Sequence, residues 1–120
     1  MQELAAALKA FYAEFLPAYT LESVPETVEL PYIAFPIVNP RWDQQVNTYV
    51  QIYYPKRQLE NLLIMADRLM GAIGEGLKLN LPDGYVMLYP AQQNAQIMSD
   101  KVTKSAYISL LINAYHQPGE

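Results

Sequence analysis

The sequence has no cysteine, one histidine and one tryptophan. It also has no apolar run near the roughly 20 residues that a membrane-spanning helix takes. Without cysteine, disulfides, thiolate catalysis and cysteine-based metal sites are excluded. Charge is sparse as well: 17% of residues are charged against 52% apolar. Such a chain is too hydrophobic to stay disordered and short of charge for a solitary protein, which points to self-association. The eight lysines and arginines form no basic stripe, so specific binding to a nucleic-acid backbone, which rests on clustered cations, is not expected. The opening "MQELAAALKAFYAEF" carries acidic residues early and lacks a basic leader region. The chain is therefore expected in the cytoplasm when made, with no membrane partner.

What is present begins with an uneven charge. Residues 1–40 hold Glu3, Glu14, Glu22, Glu26 and Glu29 against Lys9 alone, and so carry the whole net charge of −4. At 120 residues the chain sets an expectation of one domain, burying roughly two-thirds of its unfolded surface.

Leu4, Leu8, Phe11 and Phe15 recur at helical spacing, which predicts an amphipathic helix over residues 2–16, stopped by Pro17. An acidic connector, Glu22 to Pro31, leads to "PYIAFPIVNP". There Tyr32, Ile33, Phe35, Ile37 and Val38 ask for a strand, but Pro31, Pro36 and Pro40 each remove a backbone donor. Proline in a sheet is tolerated at borders and bulges, so this strand, 32–38, is expected at the periphery. "VNTYVQIYY" alternates a dry face (Val46, Thr48, Val50, Ile52, Tyr54) with Tyr49, Gln51 and Tyr53. After Pro55 a helix is predicted over 57–75, its stripe formed by Leu59, Leu62, Leu63, Ala66, Leu69, Met70 and Ile73. "NLPDGYVMLYP" reads as a turn entering a strand at 85–89, and "QQNAQIMSDK" as a loop. "VTKSAYISLLINAYH" alternates as a long strand, expected at the sheet centre. The implied architecture is α+β: a mainly antiparallel four-stranded sheet with one long helix on its dry face and an N-terminal helix beside it.

Candidate chemistry is thin. The glycines of "GAIGEG" follow a helix, whereas phosphate-binding glycines precede one, so they read as a helix stop. His116 has no nucleophile or orienting acid near it in sequence. Asp43, Asp67, Asp83 and Asp100 are scattered singly and make no cation loop. No catalytic residue, metal ligand or cofactor is assigned, and the chain is not expected to be an enzyme.

The ten tyrosines stand out. Tyrosine buries a ring while keeping a hydroxyl wet, and it is enriched where proteins meet. Two fates compete for Tyr32, Tyr49, Tyr53, Tyr107 and Tyr115: the outer side of the sheet, or packing beneath the N-terminal helix. "NPRWDQQ" adds Arg41 and Trp42, residue types that commonly anchor interfaces. Candidate interface residues are therefore Pro36, Arg41, Trp42, Tyr49, Tyr53 and Tyr107.

The succession of the N-terminal helix and acidic connector, "LPYIAFPIV", "NTYVQIYYPKRQLENLLIMADRLMGAI", "LPDGYVMLYP" and "KSAYISLLINAYH" resembles the tail terminator (tail completion, or minor capsid) proteins of long-tailed bacteriophages. The resemblance spans most of the chain and rests on no single motif. It implies a structural virion protein without catalysis, forming a ring, expected to be a hexamer, that stops growth of the tail tube. Its partners would be copies of itself, the tail tube protein and the head-completion protein, in the virion and, during assembly, in the bacterial cytoplasm. Prolines at a sheet border would restrict pairing to a chosen register, and Glu22, Glu26 and Glu29 would give the ring an acidic lumen past which DNA slides. The same composition also serves a head-closure or head–tail connector subunit. A further alternative is a small-molecule-binding α+β domain whose site forms only in three dimensions.

Overall fold

The computed structural model describes residues 2–37, 45–82, 84–91, 97–100 and 105–118. In chain order these form α1 (Gln2–Ala13), β1 (Ala18–Thr20), β2 (Tyr32–Phe35), β3 (Gln45–Pro55), α2 (Leu59–Ile73), β4 (Leu77–Leu81), β5 (Gly84–Pro90), β6 (Ile97–Asp100) and β7 (Ser105–Pro118). One sheet runs β1-β2-β3-β7-β5-β4, with β6 also paired to β7. β1 and β2 are parallel and every other pairing is antiparallel.

The expected four-stranded, mainly antiparallel sheet is thus replaced by a curled, mixed sheet of seven strands. The three added strands escape pattern reading for physical reasons. β1 is three residues long, too short to show alternation. β4, "LKLNL", lies ahead of the Pro-Asp-Gly turn, where the sequence reads as turn approach. β6, "IMSD", falls inside the polar stretch assigned to a loop, and its pairing to β7 is made by backbone groups that composition does not reveal.

The expected central position of the long strand holds. β7 pairs with β3 from Pro55↔Ser105 to Gln45↔Tyr115 along one side, and with β6 and β5 along the other. The proline-flanked strand is shorter than 32–38. Pro31 and Pro36 bracket the four residues of β2 and do not interrupt them, and β1 covers β2 on the outside, so β2 is one strand in from the border.

Alternation puts Ile33, Phe35, Val50, Ile52, Val86, Leu88, Ile108, Leu110 and Ile112 on the inner face, all of them buried. On this face α2 packs through Leu62, Met65, Ala66, Leu69 and Ile73. Leu59 and Leu63, expected in that stripe, are 41% and 46% exposed: the apolar arc of the helix is wider than the sheet beneath it. Gly74, at φ 57°, closes α2 by donating its N–H to the Met70 carbonyl.

α1 stops at Ala13, four residues short of Pro17. It packs against both β1 and β4, the two ends of the sheet path, so the sheet curls around the core far enough for one helix to touch both. Phe11, Tyr12 and Phe35 form the aromatic part of this closure, with the Tyr12 and Phe35 rings 5.1 Å apart.

Candidate functional site

The alternation that buries one face of β3 and β7 exposes the other, and on that outer face the tyrosines line up. Tyr32, Tyr53 and Tyr107 are direct cross-strand partners on β2, β3 and β7. Their rings stack at 4.7 Å (Tyr32–Tyr53, planes 7° apart) and 4.8 Å (Tyr53–Tyr107, 27°). Tyr19 on β1 extends the row edge-on to Tyr32 at 6.1 Å, and Met98 on β6 pairs with Tyr107 at the other end. The row crosses five strands. Its rings spend their faces on one another, and the Tyr53 hydroxyl is bonded within the face, to Gln51.

Two residues along each strand lies a row of shorter side chains, Ala34, Gln51 and Ser109. The Gln51 amide is held from both sides: Tyr53 Oη donates to Oε1 at 2.9 Å, and Nε2 donates to Ser109 Oγ at 3.4 Å. Beyond it, Tyr49 and Leu111 face each other as the next tall pair. Along β3 and β7 the outer face thus presents in turn the Tyr53–Tyr107 stack, the Gln51–Ser109 pair and the Tyr49–Leu111 pair. Leu111, Met98 and Tyr89 are exposed on this face. Among its described side chains Lys78 alone is charged, and its ammonium sits 4.5 Å over the Tyr85 ring.

Of the residues singled out in the sequence, Tyr49, Tyr53 and Tyr107 come together here, half-buried. Pro36 is half-buried just past β2, while Glu22, Glu26 and Glu29 are exposed along the connector between β1 and β2. Arg41 and Trp42, with Asp43 and Asp83, lie outside the described residues. The sequence reading missed Tyr19 and Met98, which belong to the unrecognised strands. It also gave no role to Gln51 and Ser109, whose spacing from Tyr53 and Tyr107 was the available signal.

A second concavity, an open groove of about 560 Å³, runs between α1, the end of α2 and β4. Phe11, Phe15, Leu77 and Leu79 line it, with Glu14 and Asn80 as its polar groups. Among the described residues no cluster of His, Asp or Glu is arranged to hold a metal, and no helix is long and apolar enough to cross a membrane.

Compared with known proteins, the sequence matches no family model and no curated protein.

Proposed function

We propose that this chain is a structural assembly protein that joins copies of itself into a ring, in the role of a tail terminator that caps a phage tail tube and offers a surface to the head-completion protein. The observation that carries the reading is the outer sheet face, where a stacked tyrosine row and exposed Leu111 and Met98 lie together and Lys78 is the one charge among the described side chains. An aromatic, charge-poor face has the composition of a protein interface. The family resemblance supplies the particular role. In it the exposed Glu22, Glu26 and Glu29 line the opening, and imaging that places them on the outer rim of an assembled ring removes that part.

The test is negative-stain imaging and light scattering of the purified chain, alone and with tail tubes. Rings of uniform subunit number that bind one tube end support the role. Binding to portal or adaptor protein in place of tubes reassigns the chain to head closure. A chain that remains single, with and without tubes, overturns the proposal.

A further inference from the structure

The inner face of the sheet loses its cover at one border. Val86 and Leu88 on β5 are fully buried, whereas Leu77 and Leu79, the next inward side chains on β4, are only half-buried. Beside them lies the open groove of about 560 Å³, and its far wall is a single stripe of α1 and the turn that follows it. Ala7, Ala10 and Glu14 recur there at helical spacing, next to the stripe of Leu4, Leu8 and Tyr12 that enters the core. The two alanines leave open the space that larger side chains would fill.

The same border presents unpaired backbone. β4 ends the sheet path and is paired to β5 alone. Two residues separate Leu81 from its partner Gly84, and the first of them, Pro82, has no N–H, so Leu81↔Gly84 is a pair that hydrogen bonds directly. Alternation then turns the backbone groups of Leu79 and Leu77 to β5 and those of Lys78 and Asn80 outward. Among the described residues the outward groups have no backbone partner.

We infer that this border binds an extended segment of another protein as an added strand, its backbone bonded to Lys78 and Asn80 and its alternate apolar side chains seated in the groove between α1 and β4. An extended peptide meets both features at once: it supplies donors and acceptors at the spacing of a strand, and every second side chain points to the same face. Five residues match the length of β4. Charge sets the chemistry of the partner. Glu14 is the one charged side chain on the groove among the described residues, which favours a segment carrying Lys or Arg. A second copy of this chain brings a net charge of −4 to that acidic rim and is the poorer occupant. The groove lies on the inner side of the sheet, so this site is separate from the tyrosine face.

The probe is a fluorescent peptide, Lys-Thr-Val-Thr-Val-Thr-Lys, which carries valines and both lysines on one face, so that either strand direction brings a cation to Glu14. Its acidic twin has Glu at both ends. Anisotropy against the full chain is expected to show the basic peptide binding and the acidic one binding about threefold more weakly, the scale of an exposed ion pair. In amide hydrogen exchange read by NMR, the bound peptide is expected to slow Lys78 and Asn80 and to leave Leu77 and Leu79, already bonded to β5, unchanged. Asn80→Pro removes one outward donor where a border strand tolerates proline, and is expected to weaken binding about fivefold or more. Ala10→Trp fills the groove and is expected to abolish binding, and Glu14→Lys to reverse the preference between the two peptides, each with the circular dichroism of the parent. No binding of the basic peptide at about 1 mM, equal affinity for the two peptides, or slowed exchange elsewhere with Lys78 and Asn80 unaffected overturns the inference. A fall in the scattering mass of the peptide-free chain on Asn80→Pro also overturns it, because the border then belongs to a second copy.

Discussion

Tyr32 and Tyr53 stack with ring centroids 4.7 Å apart and planes 7° from parallel, a distance equal to the spacing of neighbouring strands. The stack therefore requires no distortion of the backbone: a tyrosine placed opposite a tyrosine, in register, makes it. Repetition at Tyr53–Tyr107 ties β2, β3 and β7 together on the side away from the core.

If the row acts as a unit, its members couple energetically. A double-mutant cycle on Tyr53→Ala and Tyr107→Ala, measured by urea unfolding, is expected to return a coupling of about 0.5–1.5 kcal/mol, the range for aromatic pairs beyond area burial. Additive losses would mean that the rings are only neighbours. Tyr53→Phe keeps the stack and drops the hydrogen bond to Gln51, and is expected to cost about 1 kcal/mol or less.

Tyr12 is 1% exposed, and among the described residues its hydroxyl has no hydrogen-bond partner. Burial pushes its phenol well above the ordinary value of 10.0. Between the ordinary and the raised value the unfolded chain loses a proton that the folded chain keeps, so stability is complete below pH 10 and falls as pH rises beyond it. The slope due to this group approaches about 1.4 kcal/mol per pH unit. Tyr12→Phe is expected to remove that part of the alkaline loss and to be neutral or slightly stabilising at pH 7, because it deletes an unpaired buried hydroxyl. Tyr54 is pushed in the same direction by burial, against an opposing pull from Arg68, so part of the alkaline slope survives the substitution.

The two sides of α2 separate core from surface. Leu69 is fully buried, whereas Leu63 is 46% exposed. Leu69→Ala is expected to cost about 2–5 kcal/mol in chemical unfolding of the isolated chain. Leu63→Ala should change the stability of the chain by about 0.5 kcal/mol or less. Equal losses at the two positions would place Leu63 in the core.

The elements legible in the sequence were those with enough residues to show a period. β3, β7 and α2 each run eleven or more residues, and Val50, Ile52, Ile108 and Leu69 declared their side of the core. β1 and β6 hold three and four residues, where no period can be read, and β4 reads as the approach to the Pro-Asp-Gly turn, so the sequence undercounts the sheet. Pro36 reads in the sequence as an interruption within a strand, and in the fold it follows the last residue of β2. On α2 the pattern was plain but incomplete in meaning, since a stripe of leucines marks apolar surface without saying whether the same chain covers it. The outer-face tyrosines were legible as a group. Their stacking, which depends on the register Tyr32↔Tyr53↔Tyr107, was not.

The position of β7 has a further consequence, for biosynthesis. It joins the β1-β2-β3 part of the sheet to the β5-β4 hairpin, yet among the described strands it is the last to be translated. Until residues 105–118 leave the ribosome, the two halves share the helices α1 and α2 but have no strand to pair across, and the side of β3 that awaits β7 stands open. Non-local closure of this kind is slow and leaves unsatisfied strand borders in the meantime. A nascent chain stalled before this point would thus hold two unjoined pieces of sheet, each with an open strand border.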